Sequence, residues 1–295
     1  MEADIFLPRH RVEDRNPKIA IYMNKLLSIT TLLVICTLFF SHHAAAQMRG
    51  WEVGGWLGTS TYFGDLNTSY RLDRMHLAGG LGVRYNLNDR LALRMGANAC
   101  RISAYDSDSK NVFQQRRNLH FFSNIVDVNA QFEFNFLPYV HGHRDHYFTP
   151  YMFAGPSFFW FNPKADLDGS TYNLREMGTE GQFRGEEYST AQGSIIYGIG
   201  FKLDLSYRWS LDFTLSGRKL FTDYIDDVQG SYADIRDIRS QRGDVAASLA
   251  DRSGEPRIGL PGRQRGNGKN NDMYGMIGIG LNYYFGSIRC PGITR

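Results

Sequence analysis

Apolar and polar side chains alternate with a period of two over most of the chain after residue 50, which is the pattern of strands with one apolar face. The runs 125–136 and 195–206 are the most regular, and in both of them every second residue is apolar. Six further runs bring the predicted strands to eight: 51–58, 76–87, 91–99, 148–161, 210–218 and 277–285.

The connections between these strands alternate strictly between short and long. The short ones are 86–90, 138–147 and 207–209, and the long ones are 59–75, 105–120, 162–191 and 219–271. Outer-membrane barrels have this asymmetry, with short turns in the periplasm and long loops outside. We therefore predict an all-β fold, an eight-stranded antiparallel transmembrane β-barrel of the bacterial outer-membrane type, with both termini in the periplasm.

The polar face of the predicted strands carries charges that would all point into the lumen of this barrel. They are four cations and five carboxylates: Glu52, Arg84, Arg94, Asp127, Glu133, Lys202, Asp204, Asp212 and Arg218. Unpaired burial of these charges would be prohibitive, but opposite charges in one narrow lumen can pair, so we predict a lumen charge network. A soluble barrel, the alternative, would turn its apolar face inward instead. The apolar face then contacts lipid, and side chains fill the lumen too completely for an open pore.

The segment before the barrel has the composition of a signal peptide. Within 24–46, Lys25 precedes an apolar stretch at 26–40, and the segment ends in Ala44-Ala45-Ala46, as in secreted precursors. The apolar stretch is shorter than the ~20 residues of a spanning helix, although an uncleaved signal anchor is the alternative. The predicted division is a gene-model extension at 1–22, a signal peptide at 23–46 and the barrel at 47–295, with a periplasmic tail at 286–295.

Composition excludes several other classes of protein. Residues 47–295 carry 28 Lys and Arg against 26 Asp and Glu, and this balance offers no basic face for nucleic acid. Because Cys36 lies in the signal segment, only Cys100 and Cys290 remain, too few for a disulfide framework. No second apolar run reaches 18 residues, which excludes helical membrane spans.

Two polar turns contain residue types that bind metals. The run 141–146, His-Gly-His-Arg-Asp-His, offers His and Asp ligands, but its spacing matches no standard site, and a solvated turn is the preferred interpretation. The run 166–169, Asp-Leu-Asp-Gly, is similar to the start of a calcium loop, but the later ligand is missing and a plain Asp-Gly turn is favoured. We predict no metal and no cofactor.

The last long loop, 219–271, begins with an acidic cluster. The cluster consists of Asp223, Asp226, Asp227 and Asp234, and the arginines that follow it are Arg236, Arg239 and Arg242. The acidic residues either bind calcium or pair with these arginines, and pairing is the preferred interpretation. The loop holds more than 50 residues, and loops of this length are usually functional or disordered.

Catalysis at the mouth of such a barrel would need a Ser, His and acid set. His76 and His120 lie at outer strand ends, but no arrangement around them is specific. We therefore predict no catalytic residues and a protein that is not an enzyme. The tail after Phe285 carries Cys290, which we expect to contact a periplasmic partner.

A series of short motifs resembles a known family. The first is Tyr62-Phe63-Gly64-Asp65-Leu66-Asn67, and the second is Thr222-Asp223-Tyr224 with Asp226-Asp227 and Gly230. The series continues with Leu249-Ala250-Asp251-Arg252-Ser253, Arg265-Gly266-Asn267, Tyr283-Tyr284-Phe285 and Cys290-Pro291. In this order and spacing, over nearly the whole mature chain, the motifs resemble the PorG-type outer-membrane barrels of Bacteroidota.

The resemblance implies a non-catalytic component of the type IX (Por) secretion system. Such a protein contacts or anchors the periplasmic ring, which is made of a lipoprotein and its partner, and it supports export of proteins that carry a C-terminal signal. Besides the ring proteins, the expected partner is outer-membrane lipid. The family-motif positions in the loops are Asp65, Asn67, Asp223, Asp226, Asp227, Asp251 and Arg252. The alternatives are a free-standing OmpA-like structural or adhesive barrel and a lipid-A-modifying barrel enzyme.

Overall fold

The computed structural model describes residues 50–286, and these residues form ten strands and four short α-helices. The strands are β1 (Gly50–Phe63), β2 (His76–Asn86), β3 (Leu91–Tyr105), β4 (His120–Asn135), β5 (Phe148–Trp160), β6 (Pro163–Leu167), β7 (Ser170–Asn173), β8 (Ala191–Asp204), β9 (Trp209–Leu220) and β10 (Met273–Tyr284). The helices are α1 (Val112–Arg117), α2 (Leu174–Met177), α3 (Ile235–Arg242) and α4 (Asp244–Ala250). None of these helices is long and apolar enough to cross a bilayer. The predicted gene-model extension, the signal peptide and Cys290 lie outside the described residues.

Eight of the strands close into an antiparallel barrel. Their order is β3-β2-β1-β10-β9-β8-β5-β4, and β4 pairs back onto β3. The first and last strands meet in a continuous ladder that runs from Glu52 opposite Tyr284 to Phe63 opposite Met273. β6 and β7 form a hairpin that joins the barrel only through the start of β4. The prediction of an eight-stranded antiparallel barrel is confirmed.

The two ends of the barrel differ as predicted. The connections at one end, here called the turn end, are 87–90, 136–147 and 205–208, whereas those at the loop end are 64–75, 106–119, 161–190 and 221–272. At the loop end six strands extend beyond their predicted limits. The longest extensions are those of β1, which reaches Phe63, of β3, which reaches Tyr105, and of β4, which starts at His120. Both faces of the β1 and β3 extensions are covered, as the consecutive buried residues Ile102, Ser103 and Ala104 of β3 illustrate. The alternation that marks a half-buried strand is therefore lost there.

The outer surface of the barrel wall is apolar. Leu57, Leu77 and Leu81 are 70%, 77% and 71% exposed, and side chains of this kind are stable against lipid rather than water. At the turn end, Trp51 pairs with Tyr85 at a ring separation of 4.8 Å, where interfacial aromatic residues are expected. A closed barrel with a polar interior and an apolar wall is the architecture of a bacterial outer-membrane β-barrel.

The four long connections pack together over the loop end and form a folded cap. The cap consists of residues 64–75, 106–119, 161–190 and 221–272, and its shared core includes Leu66, Leu119, Phe161, Leu174, Ile225, Val228 and Leu249. A second small core lies between α3 and α4, around Ile238 and Ala246. The longest connection is thus a folded segment with two helices.

Candidate functional site

The lumen near the turn end is filled by ion pairs centred on Arg84. Its Nη1 lies 2.8 Å from Glu52 Oε2, its Nε lies 2.8 Å from Glu133 Oε2, and its Nη2 lies 2.6 Å from Asp212 Oδ2. These residues come from β1, β2, β4 and β9, so one guanidinium joins strands that are distant in the barrel order. Arg84 is 2% exposed.

Further donors complete the pairing of these carboxylates. Lys202 Nζ donates to Glu133 Oε2 at 2.6 Å and to Asn135 Oδ1 at 3.0 Å. Asp212 Oδ2 lies 3.3 Å from Arg94 Nη1, and Asp212 Oδ1 accepts the hydroxyl of Tyr151 at 2.5 Å. Charge-assisted hydrogen bonds of this kind offset the cost of removing the charges from water.

A second ion pair lies in the lumen nearer the loop end. Arg218 Nε is 3.0 Å from Asp127 Oδ2, and the side-chain amides of Asn98 and Asn129 donate to Asp127 Oδ1 at 2.7 Å and 2.9 Å. A cavity of about 30 Å³ lies in the lumen and is lined by Arg94, Asn98 and Arg218 among others. Such a volume holds about one or two water molecules.

One turn-end loop folds back into the lumen through His141. Its Nε2 lies 3.1 Å from Glu52 Oε1 and its Nδ1 lies 2.9 Å from Asp204 Oδ1, while its ring stacks on Tyr284 at 4.3 Å. Burial opposes protonation of the ring, but the two carboxylates outweigh it and raise the pKa of His141 to about 9. The preferred sequence interpretation, a solvated turn, is wrong for His141, which is 4% exposed, although Arg144 and Asp145 are exposed.

His141 completes the charge balance of the lumen. The nine sequence-predicted lumen residues all have side chains inside the barrel, and each contacts an opposite charge. Four cations against five carboxylates leave one negative charge, and Asp204 is the carboxylate whose charged partner is His141. Sequence reasoning missed this residue because a His in a short polar turn gives no signal that the turn folds inward.

The first family motif fixes the cap to the end of β1. Asn67 Nδ2 donates to the carbonyl oxygens of Tyr62 and Arg71 at 2.7 Å and 2.9 Å. Asp65 Oδ2 accepts the backbone N–H of Asn267 at 2.7 Å. The motif therefore links the first long loop to the end of the last one.

The second family motif supplies two residues of a buried acidic cluster, here defined as Asp65, Asp223, Asp226 and Asp272. The Tyr62 hydroxyl lies 2.6 Å from Asp226 Oδ2 and 2.8 Å from Asp272 Oδ1. Burial, reinforced by the charges of neighbouring carboxylates, raises the pKa of Asp226 and of Asp272 well above the usual range. Burial also raises the pKa of Asp223 to about 8.

The predicted pairing of the loop acids with nearby arginines holds only for Asp234. Its Oδ2 lies 2.7 Å from Arg236 Nη2 at the start of α3. Arg239 pairs with Asp244 and Arg242 with Glu187, so the prediction is wrong for Asp223, Asp226 and Asp227. The arginine nearest to the Asp227 carboxylate is Arg265, at 3.8 Å. The arginines of the helix α3 instead have Asp234, Asp244 and Glu187 as partners. In residues 50–286 no group of three or more His, Cys, Asp or Glu side chains is arranged to hold a calcium ion.

The remaining motif residues also connect segments of the cap. Asp227 Oδ1 accepts the hydroxyl of Tyr188 at 2.8 Å, and Arg265 Nη1 donates to the Asp227 carbonyl oxygen at 2.6 Å. Asp251 Oδ1 accepts the backbone N–H of Ser253 at 3.0 Å. Arg252 Nη1 donates to the carbonyl oxygen of Asp166 at 3.0 Å, which ties the β6–β7 hairpin to the cap.

The other candidate residues have structural environments. The run 166–169 forms the β6–β7 turn, in which Asp168 and Gly169 have φ values of 51° and 80°, as a plain Asp-Gly hairpin turn requires. His76 Nε2 lies 2.7 Å from Ser103 Oγ. The ring of His120 stacks on Tyr105 at 5.0 Å.

A family model described as a domain of unknown function, DUF6089, matches residues 29–245 of the chain. The chain belongs to the DUF6089 family. No curated protein matches this DUF6089 chain. The matched range contains β1 to β9 and ends early in α4. Asp251, Arg252, Asp272 and β10 therefore lie beyond the matched range, although they pack against residues within it.

Several solved barrels are similar to this DUF6089 protein. The N-terminal β-barrel domain of Pseudomonas aeruginosa OprF is 13% identical, with a TM-score of 0.36, and the match covers 81% of this chain and 99% of that one. Ail of Yersinia pestis, solved with the heparin analogue sucrose octasulfate, is 13% identical with a TM-score of 0.40, covering 80% and 99%. Neisserial surface protein A is 12% identical with a TM-score of 0.41, covering 80% and 97%. At these values the similarities carry no information about the role of this protein.

Proposed function

We propose that this protein is a non-catalytic outer-membrane subunit of a type IX protein-export machine, and that it anchors or contacts the periplasmic ring of that machine. The observation that carries the proposal is the filled lumen. Arg84 alone occupies the space between Glu52, Glu133 and Asp212, and His141 closes the turn end above Glu52 and Asp204. A barrel sealed in this way acts through its ends and its wall rather than as a conduit.

The family motifs support the proposal in a second way. Asp65 and Asp227 join separate segments of the cap, and Asn67 and Asp226 tie the cap to Tyr62 at the end of β1. The resemblance to PorG-type barrels therefore rests on residues that build one folded unit. In the proposed arrangement both termini and the short turns face the periplasm. The periplasmic partners are then the ring lipoprotein and the protein bound to it.

A clean deletion of the gene tests the export role. We expect secretion of proteases that bear the C-terminal signal to be abolished, and the lipid A profile in mass spectra to be unchanged. Normal protease secretion in the deletion strain would contradict the proposed export role. Altered lipid A acylation would instead favour the lipid-modifying alternative. A His120→Ala variant would then show whether the imidazole of His120 takes part in that reaction.

Crosslinking through Cys290 tests the contact with the ring directly. Cys100 is 7% exposed and lies in the wall of the closed barrel, so a bulky thiol-reactive crosslinker selects Cys290 in the folded mature protein. We expect the crosslinked product to contain a ring component, and the Cys290→Ser variant to give none. Recovery of no ring component under conditions that preserve the ring would favour a free-standing barrel.

The second candidate is a free-standing OmpA-like barrel with a structural or adhesive role. The observation that favours it is the cap, because residues from all four long connections share one apolar core and present a fixed surface for recognition. This candidate predicts normal secretion in the deletion strain together with reduced attachment of cells or increased sensitivity to detergent. Complementation by a barrel whose segment 235–242, the helix α3, is replaced by a Gly-Ser linker separates the two roles, because this helix contains none of the family-motif residues.

A further inference from the structure

One arginine interrupts the apolar outer face of the barrel wall. Along β3 the outward residues Leu93, Met95, Ala97 and Ala99 are exposed and apolar, and the next outward residue is the exposed Arg101. A cation on the lipid side of a barrel is costly at the centre of the bilayer and tolerated near the interface. Arg101 therefore marks the level at which the wall leaves the hydrocarbon and meets the headgroups at the loop end.

The neighbours of Arg101 hold its guanidinium without neutralising it. Its carbon Cζ lies 4.5 Å from the centre of the Phe122 ring on β4, and its partner across the ladder is Asn124, which is exposed. In residues 50–286 no carboxylate is within ion-pair distance of Arg101. The stacked guanidinium consequently keeps donors free on the outer surface.

A second arginine and a histidine lie beside it. Arg74 stacks 4.2 Å above the ring of Tyr105 and donates to both oxygens of Asp108 at 2.6 Å and 2.9 Å. Arg74 thus contacts the β3 residue four positions after Arg101, and His76 Nε2 lies 2.7 Å from the hydroxyl of Ser103, two positions after Arg101. Arg74 is 42% exposed at its side chain, but Asp108 already occupies its fork. Arg101 is therefore the cation of this patch that has no carboxylate partner in residues 50–286.

Apolar side chains border this patch on both sides. Towards the turn end lie the lipid-facing residues Ala99 and Val126, and on the side of the cap lie the exposed residues Tyr70, Leu72 and Met75. An acyl chain can therefore lie along the wall while its headgroup meets the cations. A soluble acidic partner would have no use for the apolar surface on the turn-end side.

We propose that Arg101 binds the phosphate of a lipid headgroup in the leaflet at the loop end. Guanidinium forks match phosphate oxygens in geometry and remain charged at all relevant pH values. The inference goes beyond the export role, since it depends only on the placement of the barrel in a membrane. The site fixes the height and rotation of the barrel relative to its surrounding lipid.

Lipid retention measured by native mass spectrometry tests the site. The purified protein is exchanged into detergent with diphosphoryl lipid A, with monophosphoryl lipid A or with phosphatidylcholine. We expect retention of diphosphoryl lipid A to fall about fivefold in Arg101→Gln, the effect of losing one cation at an anionic membrane surface. Retention should change less in Arg74→Gln, because Asp108 already holds the Arg74 fork. Phosphatidylcholine retention should not change.

The matched control is Arg236→Gln, which removes an arginine that is 84% exposed on the cap helix α3 and should leave all retention unchanged. Each variant is first checked for the heat-modifiable band shift of a folded barrel, and Arg101→Lys, which keeps the charge and loses the fork, serves if Arg101→Gln does not fold. Equal retention in wild type and the Arg101 variant overturns the proposal. Displacement of lipid A by inorganic phosphate alone also overturns it, since the site would then take a free anion.

Discussion

The lumen and the cap both bury many charged side chains, but they neutralise them differently. In the lumen, Glu52, Glu133 and Asp212 all contact Arg84. In the cap, Asp226 and Asp272 share only the hydroxyl of Tyr62, and no arginine or lysine in residues 50–286 pairs with either of them. The negative charge of the lumen carboxylates is therefore compensated by fixed cations, whereas the base of the cap contains carboxyl groups with raised pKa values.

This difference has a physical reason in the surroundings of each region. The barrel wall faces lipid, so a lumen charge that lacks a partner can be relieved neither by water outside the wall nor by a rearrangement of the closed strands. The cap lies beyond the ends of the strands, where a carboxyl group can take up a proton or the loops can open to water. The lumen thus requires equal numbers of positive and negative charges, while the cap tolerates an acidic cluster whose charge changes with pH.

The largest effect is expected from removing the central lumen cation. Arg84→Met leaves three buried carboxylates short of a partner, and breaking a buried ion pair from one side costs about 3–5 kcal/mol. We expect the folded barrel to lose heat-modifiability at lower temperature and to unfold at lower urea concentration in lipid vesicles. Protection of the cap from protease should fall only as the barrel itself unfolds.

The control for this experiment is Arg236→Met, which removes an exposed arginine from the cap and should not shift the unfolding curve. A double variant, Arg84→Met with Glu133→Gln, removes charge of both signs and should recover part of the loss. If Arg84→Met unfolds at the same urea concentration as the wild type, the lumen ion pairs do not stabilise the barrel and the contrast with the cap fails.

The second test compares an exposed leucine of the wall with one of the cap. Leu81, near the middle of β2, and Leu260, in the cap, are 71% and 57% exposed. Arg at the midplane of a barrel wall costs about 2–4 kcal/mol, so Leu81→Arg should destabilise folding into vesicles by that amount. Leu260→Arg should have no measurable effect. Equal tolerance of both substitutions would contradict the assignment of the wall to lipid.

The wall of this protein was predictable from sequence, and the cap was not. Alternation along 125–136 and 195–206 predicts which side chains point outward, because each barrel residue has only two faces to choose between. The cap has no such periodicity, since its core joins residues as distant as Leu66 and Leu249. The acidic cluster was missed for the same reason: Asp223 and Asp226 precede a run of arginines in sequence, but the folded loop places them against Asp65 and Asp272 instead.

The smallest expected effect is a dependence of cap stability on pH. Burial raises the pKa of Asp223 to about 8 and that of Asp227 to about 6, so both carboxyls stabilise the cap when protonated. This contribution is complete below the unfolded Asp pKa of about 4 and is lost as the pH rises, by about 6 for Asp227 and by about 8 for Asp223. Protease protection of the cap should therefore decline over this range while the barrel stays folded.

Asp223→Asn should flatten the upper part of the decline. Asp234→Asn should not, because the hydrogen bond from Arg236 already lowers the pKa of Asp234 to about 2. Cap protection that is constant over this range in the wild-type protein would show that the acidic cluster is neutralised by other means.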